Sequence, residues 1–507
     1  MDLLSPLSLL SFLFIFLLLF LFISHFIIPA PPYYGPKTHP IIGSLIPFYK
    51  NRHRLLDWYT SLLASSPTQT FVIGRLGARR TVVTANPDNV EHILKTNFPN
   101  YPKGKPFTDI LGDLLGRGIF NSDGDLWLAQ RKLASHEFTA RSLRDLLVSA
   151  LDSEADGRLV PVLTSACSER RAVDLQDMFR RFAFDVICNI SLGTDPGFLD
   201  VSLPELPFVN AFDAASMVSA RRGAEPVSAV WMVKRALGIG SERQLEEAVG
   251  SIHEYINDII KRRKEEINVK AAGEKEVGRN DLLSRLIAGG NSDEAIRDMV
   301  ISFVMAGRDT SSAALTWFFW SVSCHPDVEA ELLTEIMQVT RSKERRVDYE
   351  SLREMKYLEA CLCETMRLFP PVVWDSKHAD NDDVLPDGTR VRKGDRVTYF
   401  PYGMGRMESI WGKDWMEFRP GRWISVEEGG EGKELLRVSP YKYPVFQAGP
   451  RVCLGKDMAF VQMKYVAAAV LSRFEIRRAD QQSTPVLLPL LTAHMAGGLK
   501  VVLEERR

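Results

Sequence analysis

Read from the N-terminus, the first pattern along the chain is an apolar run. Leu3 to Ile28 carries no charge, and only serines, Pro6 and His25 interrupt it. A helix crosses a bilayer with about 20 apolar residues, so residues 1–28 predict one N-terminal transmembrane helix, a membrane anchor. Pro29, Pro31, Pro32 and Pro36 end it in a stiff connector, residues 29–50. A cleaved signal peptide is the alternative. It wants basic residues at its start and an apolar stretch of roughly 7–15, whereas Asp2 stands here with no Lys or Arg before the run. Lys37, Lys50, Arg52 and Arg54 follow the span. By the positive-inside rule they place residues 51–507, the expected catalytic domain, in the cytosol.

Beyond the connector the pattern changes period. "TFVIG" and "RTVVTA" are β-branched and short, two strands about a turn at Gly77. From Leu126 to about Arg263 helical spacing dominates, with turn signals near Gly193 and Gly238. Lys261 to Arg279 is densely charged and predicts a helix end running into a solvated loop. Ile296, Met299, Val300, Phe303 and Val304 recur along one long helix. Asn291 or Ser292 can cap it, and Asp293 and Glu294 fall in the first turn, where the helix dipole favours acids. Helices continue to Phe369, and Pro370–Pro371 breaks them. A hairpin is predicted about Pro386-Asp387-Gly388, a Pro- and Gly-rich meander from Trp411 to Pro444, and a last helix after Cys453. "PVLLPLLTAHMAGGLKVVLE" predicts a closing hairpin. No internal repeat is present. Helices outnumber strands, which predicts a mostly α fold with small sheets near both ends.

Composition narrows the class. With 45% hydrophobic and 25% charged residues the chain is that of a globular protein, and 507 residues suffice for one large fold. A formal net charge of -1 gives no reason to expect a nucleic-acid partner. Cys167, Cys188, Cys324, Cys361, Cys363 and Cys453 are scattered and form no C-x-x-C pair, which disfavours a disulfide framework or a zinc ribbon. Cys361 and Cys363 stand at i, i+2 of a helix and share no face.

One cysteine has neighbours that change its reading. Phe446-Gln447-Ala448-Gly449-Pro450-Arg451-Val452-Cys453-Leu454-Gly455 matches F-x-x-G-x-R-x-C-x-G, the cysteine loop of the cytochromes P450. Five set positions in ten recur by chance in about one such chain in ten thousand. The resemblance implies that Cys453 binds the iron of haem b as a thiolate. The helix that follows aims N–H dipoles at the sulfur, which favours the thiolate. Gly449 and Gly455 let the backbone fold closely round the sulfur and beneath a flat ring. Phe446 packs beside the thiolate, and Arg451 is placed for a haem propionate. The thiolate's electron donation favours O–O cleavage.

Three further runs resemble the same family in its order. Ala306-Gly307-Arg308-Asp309-Thr310 resembles A-G-x-D-T. There, small residues at Ala306 and Gly307 leave room for dioxygen, and Asp309 and Thr310 relay protons. A solvent-facing acid and a hydroxyl back-bonded within the helix are the plain alternative. Glu364-Thr365-Met366-Arg367 resembles E-x-x-R, and Arg422 of Pro420-Gly421-Arg422-Trp423 is implied as its third, structural partner. Gly421 and Trp423 replace the family's frequent Glu and Phe. Trp127 and Arg131 form a W-x-x-x-R on one helix face and are implied as propionate partners. The resemblance covers essentially the whole chain and implies the P450 fold, a large helical body with a small β-rich part.

Within the family, "GIFNSDGDLWLAQRKLASHEFTARSLR", "DMVISFVMAGRDTSSAALTWFFW" and "WDSKHADNDDVLPDGTRVRKGDRVTYFPYGMGRM" resemble the plant ω-hydroxylase branch. "DILGDLLGRGIF" and "LLTAHMAGGLKV" resemble that branch's jasmonoyl-isoleucine oxidases, which carry the 12-hydroxy conjugate on to the 12-carboxy form in hormone catabolism. The expected substrate is a small amphipathic acyl compound, and fatty-acid ω-hydroxylation is the alternative. A terminal methyl C–H is stronger than its methylene neighbours, so terminal selectivity needs a narrow slot. Its expected walls are Phe107 to Phe120, Phe303 to Asp309, Val372 to Trp374 and Leu491 to Met495. Arg221 and Arg222 are candidates for the substrate's acidic end, against a solvated helix face. No G-x-G-x-x-G unit follows a strand, so electrons must come from a partner. The resemblance implies membrane-bound NADPH–cytochrome P450 reductase, O2 as co-substrate and an endoplasmic reticulum location. Arg131, Lys132, Lys442 and Lys456 could make its docking face. Two rivals stay open: a P450 that rearranges hydroperoxides without dioxygen, and a haem-binding sensor or electron carrier with no substrate.

Overall fold

The structure is a computed structural model that describes residue 16 and residues 33–506, apart from 40, 140, 201–206, 226, 272–280, 342–346, 427–432 and 483. The expected membrane anchor lies outside the described residues. Among the described residues no helix is long and apolar enough to cross a membrane.

A helical body carries the site. Its helices that matter here are α1 (Leu55–Ser65), α2 (Lys105–Leu115), α3 (Gly124–Thr139), α4 (Leu175–Leu192), α5 (Pro207–Ala224), α6 (Ser241–Ala271), α7 (Asp293–Ser323), α8 (Lys356–Leu368) and α9 (Lys456–Leu471). The long helix α7 starts as the chain predicts. Of the two candidate caps it is Ser292 whose hydroxyl accepts from the Ala295 N–H at 3.3 Å. Buried apolar side chains then run along most of α7. It packs chiefly on α4, where Phe179 stacks on Phe319 at 5.1 Å between centroids. α4 and the short helix Ala229–Leu237 end in left-handed Gly193 and Gly238, where the absence of Cβ makes φ near +60° cheap.

A four-stranded sheet flanks the body: β1 (Thr70–Ile73), β2 (Thr81–Thr84), β3 (Asp375–His378) and β4 (Arg396–Tyr399), in the order β1-β2-β4-β3. β1 and β2 form the expected hairpin, Thr70 opposite Thr84, with Gly77 at φ +74° in its turn. The hairpin about Pro386-Asp387-Gly388 pairs Asp383–Val384 with Arg390–Val391. The C-terminus differs from expectation. Leu487–Pro489 pairs with Ala493–Met495, but Lys500–Glu505 leaves that hairpin through Gly497 and Gly498. It pairs with Phe474–Arg478 and with Val173–Asp174 instead. Those partners are distant in sequence, which local pattern does not encode. The meander also holds a small hairpin, Ile424–Val426 with Lys433–Leu435.

A buried charge knot pins the meander to α8. Glu364 takes Arg367 Nε and Nη2 at 2.8 and 2.9 Å, and both side chains are fully buried. Arg422 Nε reaches Glu364 at 3.2 Å. Trp423 adds a bond unforeseen in the sequence: its Nε1–H donates to Glu364 Oε2 at 2.9 Å. Arg367 also donates to the carbonyls of Trp415 and Glu417 at 2.8 and 3.0 Å. Every polar atom in the knot thereby has an answer, which a buried charge requires. Cys361 is filler on a buried helix face, as expected.

Candidate active site

The loop before α9 is built by two tight backbone turns. Gln447 has φ +63°, unusual for a side-chain-bearing residue, and Gly449 also has φ +63°. A Cβ on Gly449 would lie 1.9 Å from the Leu94 carbonyl oxygen, so only glycine lets the loop approach that backbone. The Cys453 N–H donates to the Phe446 carbonyl at 2.8 Å and closes the loop. Phe446 lies beside Phe460, ring centroids 5.3 Å apart. Gly455 has an ordinary φ, and a Cβ there would meet nothing nearer than 3.8 Å. Its backbone does not need glycine, unlike that of Gly449.

The Cys453 thiol opens into a cavity of about 450 Å³. Burial pushes its pKa up, against the pull of the Gly455 N–H, Arg131 and Lys456. A thiol so placed loses its proton when it takes a metal.

Across the cavity stand Ala306, Gly307 and Thr310 of α7. Gly307 does more than leave room, because a Cβ there would strike Ile187 of α4 at 2.6 Å. Thr310 faces the cavity while its hydroxyl donates to the Ala306 carbonyl at 2.6 Å, the back-bonded alternative. Asp309 is buried and stands outside the lining. Its Oδ1 accepts no hydrogen bond among the described residues and lies 3.6 Å from Arg308 Nε.

Arg451, Arg131 and Trp127 come together beside the loop. Arg451 Nη2 donates to Ser122 O at 3.0 Å and Asp123 Oδ1 at 2.6 Å, and its guanidinium lies 4.4 Å over the Trp127 ring. Its Nε is buried without a partner among the described residues. Arg131 Nη2 donates to the Val452 carbonyl at 2.5 Å. Next to Arg451 lies a knot the sequence did not reveal. Asp375 accepts from Lys103 at 2.6 Å, Lys377 at 2.8 Å, Tyr399 at 2.8 Å and Gln447 at 3.2 Å. Burial opposes its ionisation, and the two ammonium groups override that and hold its carboxyl far below the usual range. Its members come from four distant segments, so no motif spacing could find it.

The expected walls largely converge on the cavity: Phe107, Phe120, Phe303, Val372, Trp374 and Leu491 line it, whereas Asp309 and Met495 do not. Arg222 is a correction. It is buried and spent on Glu242 (Nε to both oxygens, 3.2 and 3.1 Å) and Asp113 (2.7 Å), facing away from the cavity that its neighbours Ser219 and Ala220 roof. Arg221 is exposed beside Met217. Lys132 and Lys456 are exposed around the loop, and Lys442 lies over Trp411.

A thiol lining a cavity, a cationic rim with an unanswered guanidinium N–H, and a facing helix with small residues fit a flat, dianionic haem. The family model for cytochrome P450 matches residues 33–496, and the chain belongs to that family. It is a haem b monooxygenase that uses O2 and electrons from a reductase partner. The chain is 58% identical to cytochrome P450 94B1 of Arabidopsis thaliana, over 93% of this chain and 91% of that protein. It is 56% identical to cytochrome P450 94B3 of the same plant, over 93% and 92%. With cytochrome P450 94A2 of Vicia sativa it shares 48%, over 93% and 91%. The crystal structure of the cytochrome P450DA heme domain superposes with a TM-score of 0.77 at 21% identity, covering 94% of this chain and 98% of that one. That likeness establishes the fold.

Proposed function

We propose that this P450 oxidises the terminal carbon of jasmonoyl-isoleucine or its 12-hydroxy form, to the alcohol and on to the acid. The observation that carries the reading is the largely apolar cavity that Cys453 lines, in a chain more than half identical to two 94B relatives. Haem bound there supplies dioxygen activation, at two electrons and two protons per turnover. Cys453 is the proposed iron ligand, with Phe446 and Gly449 shaping its loop. Arg451, Trp127 and Arg131 are the proposed propionate partners. Phe303, Val372 and Leu491 confine the chain end, so that the weaker methylene C–H bonds are kept from the reacting position. Ala306 and Gly307 keep the distal wall thin. Asp309 and Thr310 are the proposed proton relay, with the Thr310 hydroxyl turning from the Ala306 carbonyl to take part.

The proposed setting is the endoplasmic reticulum membrane, with residues 1–28 as a single anchor and the catalytic domain cytosolic. Lys132, Lys442 and Lys456, with Arg131, form the proposed face for NADPH–cytochrome P450 reductase. The test is turnover in microsomes with reductase, offering jasmonoyl-isoleucine, its 12-hydroxy form and lauric acid. Oxidation of the two conjugates at C12 is expected. Oxidation of lauric acid alone would make the enzyme a fatty-acid ω-hydroxylase.

A further inference from the structure

Among the described residues most buried cations face a carboxylate: Arg222 has Glu242 and Asp113, Arg263 has Asp281, Arg367 has Glu364. Three cavity-lining arginines do not: Arg131, which donates to the Val452 carbonyl beside the cysteine loop, and Arg75 and Arg396, which have no such partner among these residues. Arg75 follows β1, and Arg396 opens β4, opposite Thr81 of β2 and His378 of β3. Neither makes an ion pair among the described residues, and Arg75 Nη1 and Arg396 Nε are shut from solvent with no hydrogen-bond partner there. The Arg75 guanidinium lies over the Phe48 ring, 3.7 Å from its centroid. The two charges stand within electrostatic reach of each other and of the Tyr59 hydroxyl of α1, which also lines the cavity. Among the described residues, Asp375 is the acid within reach of Arg396, and it is already taken by Lys103 and Lys377. Two like charges placed together with buried N–H groups unanswered are stabilised by an anion that joins them.

Their position says which end of the ligand they take. Arg131 sits against the cysteine loop, whereas Arg75 and Arg396 sit on the four-stranded sheet, just after β1 and at the start of β4. The cavity therefore has a cationic region apart from the sulfur, with apolar walls joining the two. An acid oxidised at its far terminus has the matching shape: carboxylate at one end, hydrocarbon between, reacting carbon at the other.

We propose that Arg75, Arg396 and the Tyr59 hydroxyl bind the substrate's carboxylate and so set which carbon reaches the reacting position. This rests on the proposed ω-oxidation of an acyl acid, and it replaces Arg221 and Arg222 as the acid-binding cations. Planar guanidinium groups suit a carboxylate through paired N–H donors.

The test uses holoenzyme and the spin-state absorption change on adding ligand, with lauric acid and jasmonoyl-isoleucine each compared with its methyl ester. In the wild type the acids should bind at least about tenfold more tightly than the esters, since charged hydrogen bonds are at stake. Arg75→Gln and Arg396→Gln should each weaken the acids about ten- to a hundredfold and leave the esters unchanged, while Arg396→Lys should retain part of the affinity. ω-Selectivity should fall with the esters. Equal acid and ester affinity in the wild type overturns the proposal whether or not the variants fold. So does equal weakening of acid and ester in the variants, or loss of haem with acid preference intact, which would assign the arginines to the porphyrin. If the wild type binds the acids tightly and oxidises none at the terminus, the ω-oxidation reading fails and the carboxylate site stands.

Discussion

At Cys453 the local chain supplies the loop that a ligand needs. Gly449 is required by contact with the Leu94 carbonyl, and the loop closes on the Phe446 carbonyl. Cys453→Ser should abolish the red-shifted Soret band of a thiolate-ligated ferrous–CO complex; its survival would remove Cys453 as the ligand. Gly449→Ala puts a methyl into a backbone oxygen at a φ of +63°. It should cost at least about 1–3 kcal/mol, seen as a lower unfolding temperature and lower haem incorporation. Thr310→Ala removes the one hydroxyl of the Ala306–Thr310 run that faces the cavity. Product formation should drop roughly a hundredfold while NADPH and O2 are still consumed, an uncoupling read by comparing product with oxygen uptake. These residues were legible in the sequence because their jobs are local. What was not legible at this scale is how each side chain is used: Gly307 fits against Ile187, and Arg222 is spent on Glu242.

Among the elements, α8 and β3 carry stability that motif reading saw only in part. E-x-x-R and the family resemblance point to the Glu364–Arg367–Arg422 knot, but not to the Trp423 indole N–H, which lies 2.9 Å from Glu364. Trp423→Phe keeps the ring packing and removes that donor from a buried charge, so about 1.5–3 kcal/mol should be lost; calorimetry or denaturant unfolding measures it. Glu364→Gln leaves two buried guanidinium groups poorly answered and should cost more, about 3–5 kcal/mol. In β3, His378 is buried with Nδ1 2.6 Å from the Lys103 carbonyl. Burial lowers its pKa from 6.5 to about 4. The unfolded chain takes up a proton between those values and the folded one does not. The stability His378 permits is therefore complete above pH 6.5 and falls as the pH drops toward 4. His378→Gln should flatten that part of the pH–stability curve, and an unchanged curve would show that His378 does not titrate there.

Over the whole molecule, the sequence by itself determined the helical class, the start of α7, the β1–β2 hairpin and the cysteine loop. Each is written in short-range periodicity, a cap, a turn glycine or a contiguous motif, and so needs no knowledge of distant segments. Tertiary structure alone decided which charges meet. Asp375 gathers Lys103, Lys377, Tyr399 and Gln447 from four stretches of chain, and the last strand abandons its neighbour to pair with Phe474–Arg478. It also decided which arginines are left without a carboxylate inside the cavity. Arg221 and Arg222 looked suited to an acid because of their place on a roofing helix, yet Arg222 turns outward to two carboxylates and Arg75 and Arg396 face the cavity without one. The physical reason is the range of the interaction. Periodicity and capping act within a turn or two of chain, whereas the cost of a buried charge depends on everything folded around it.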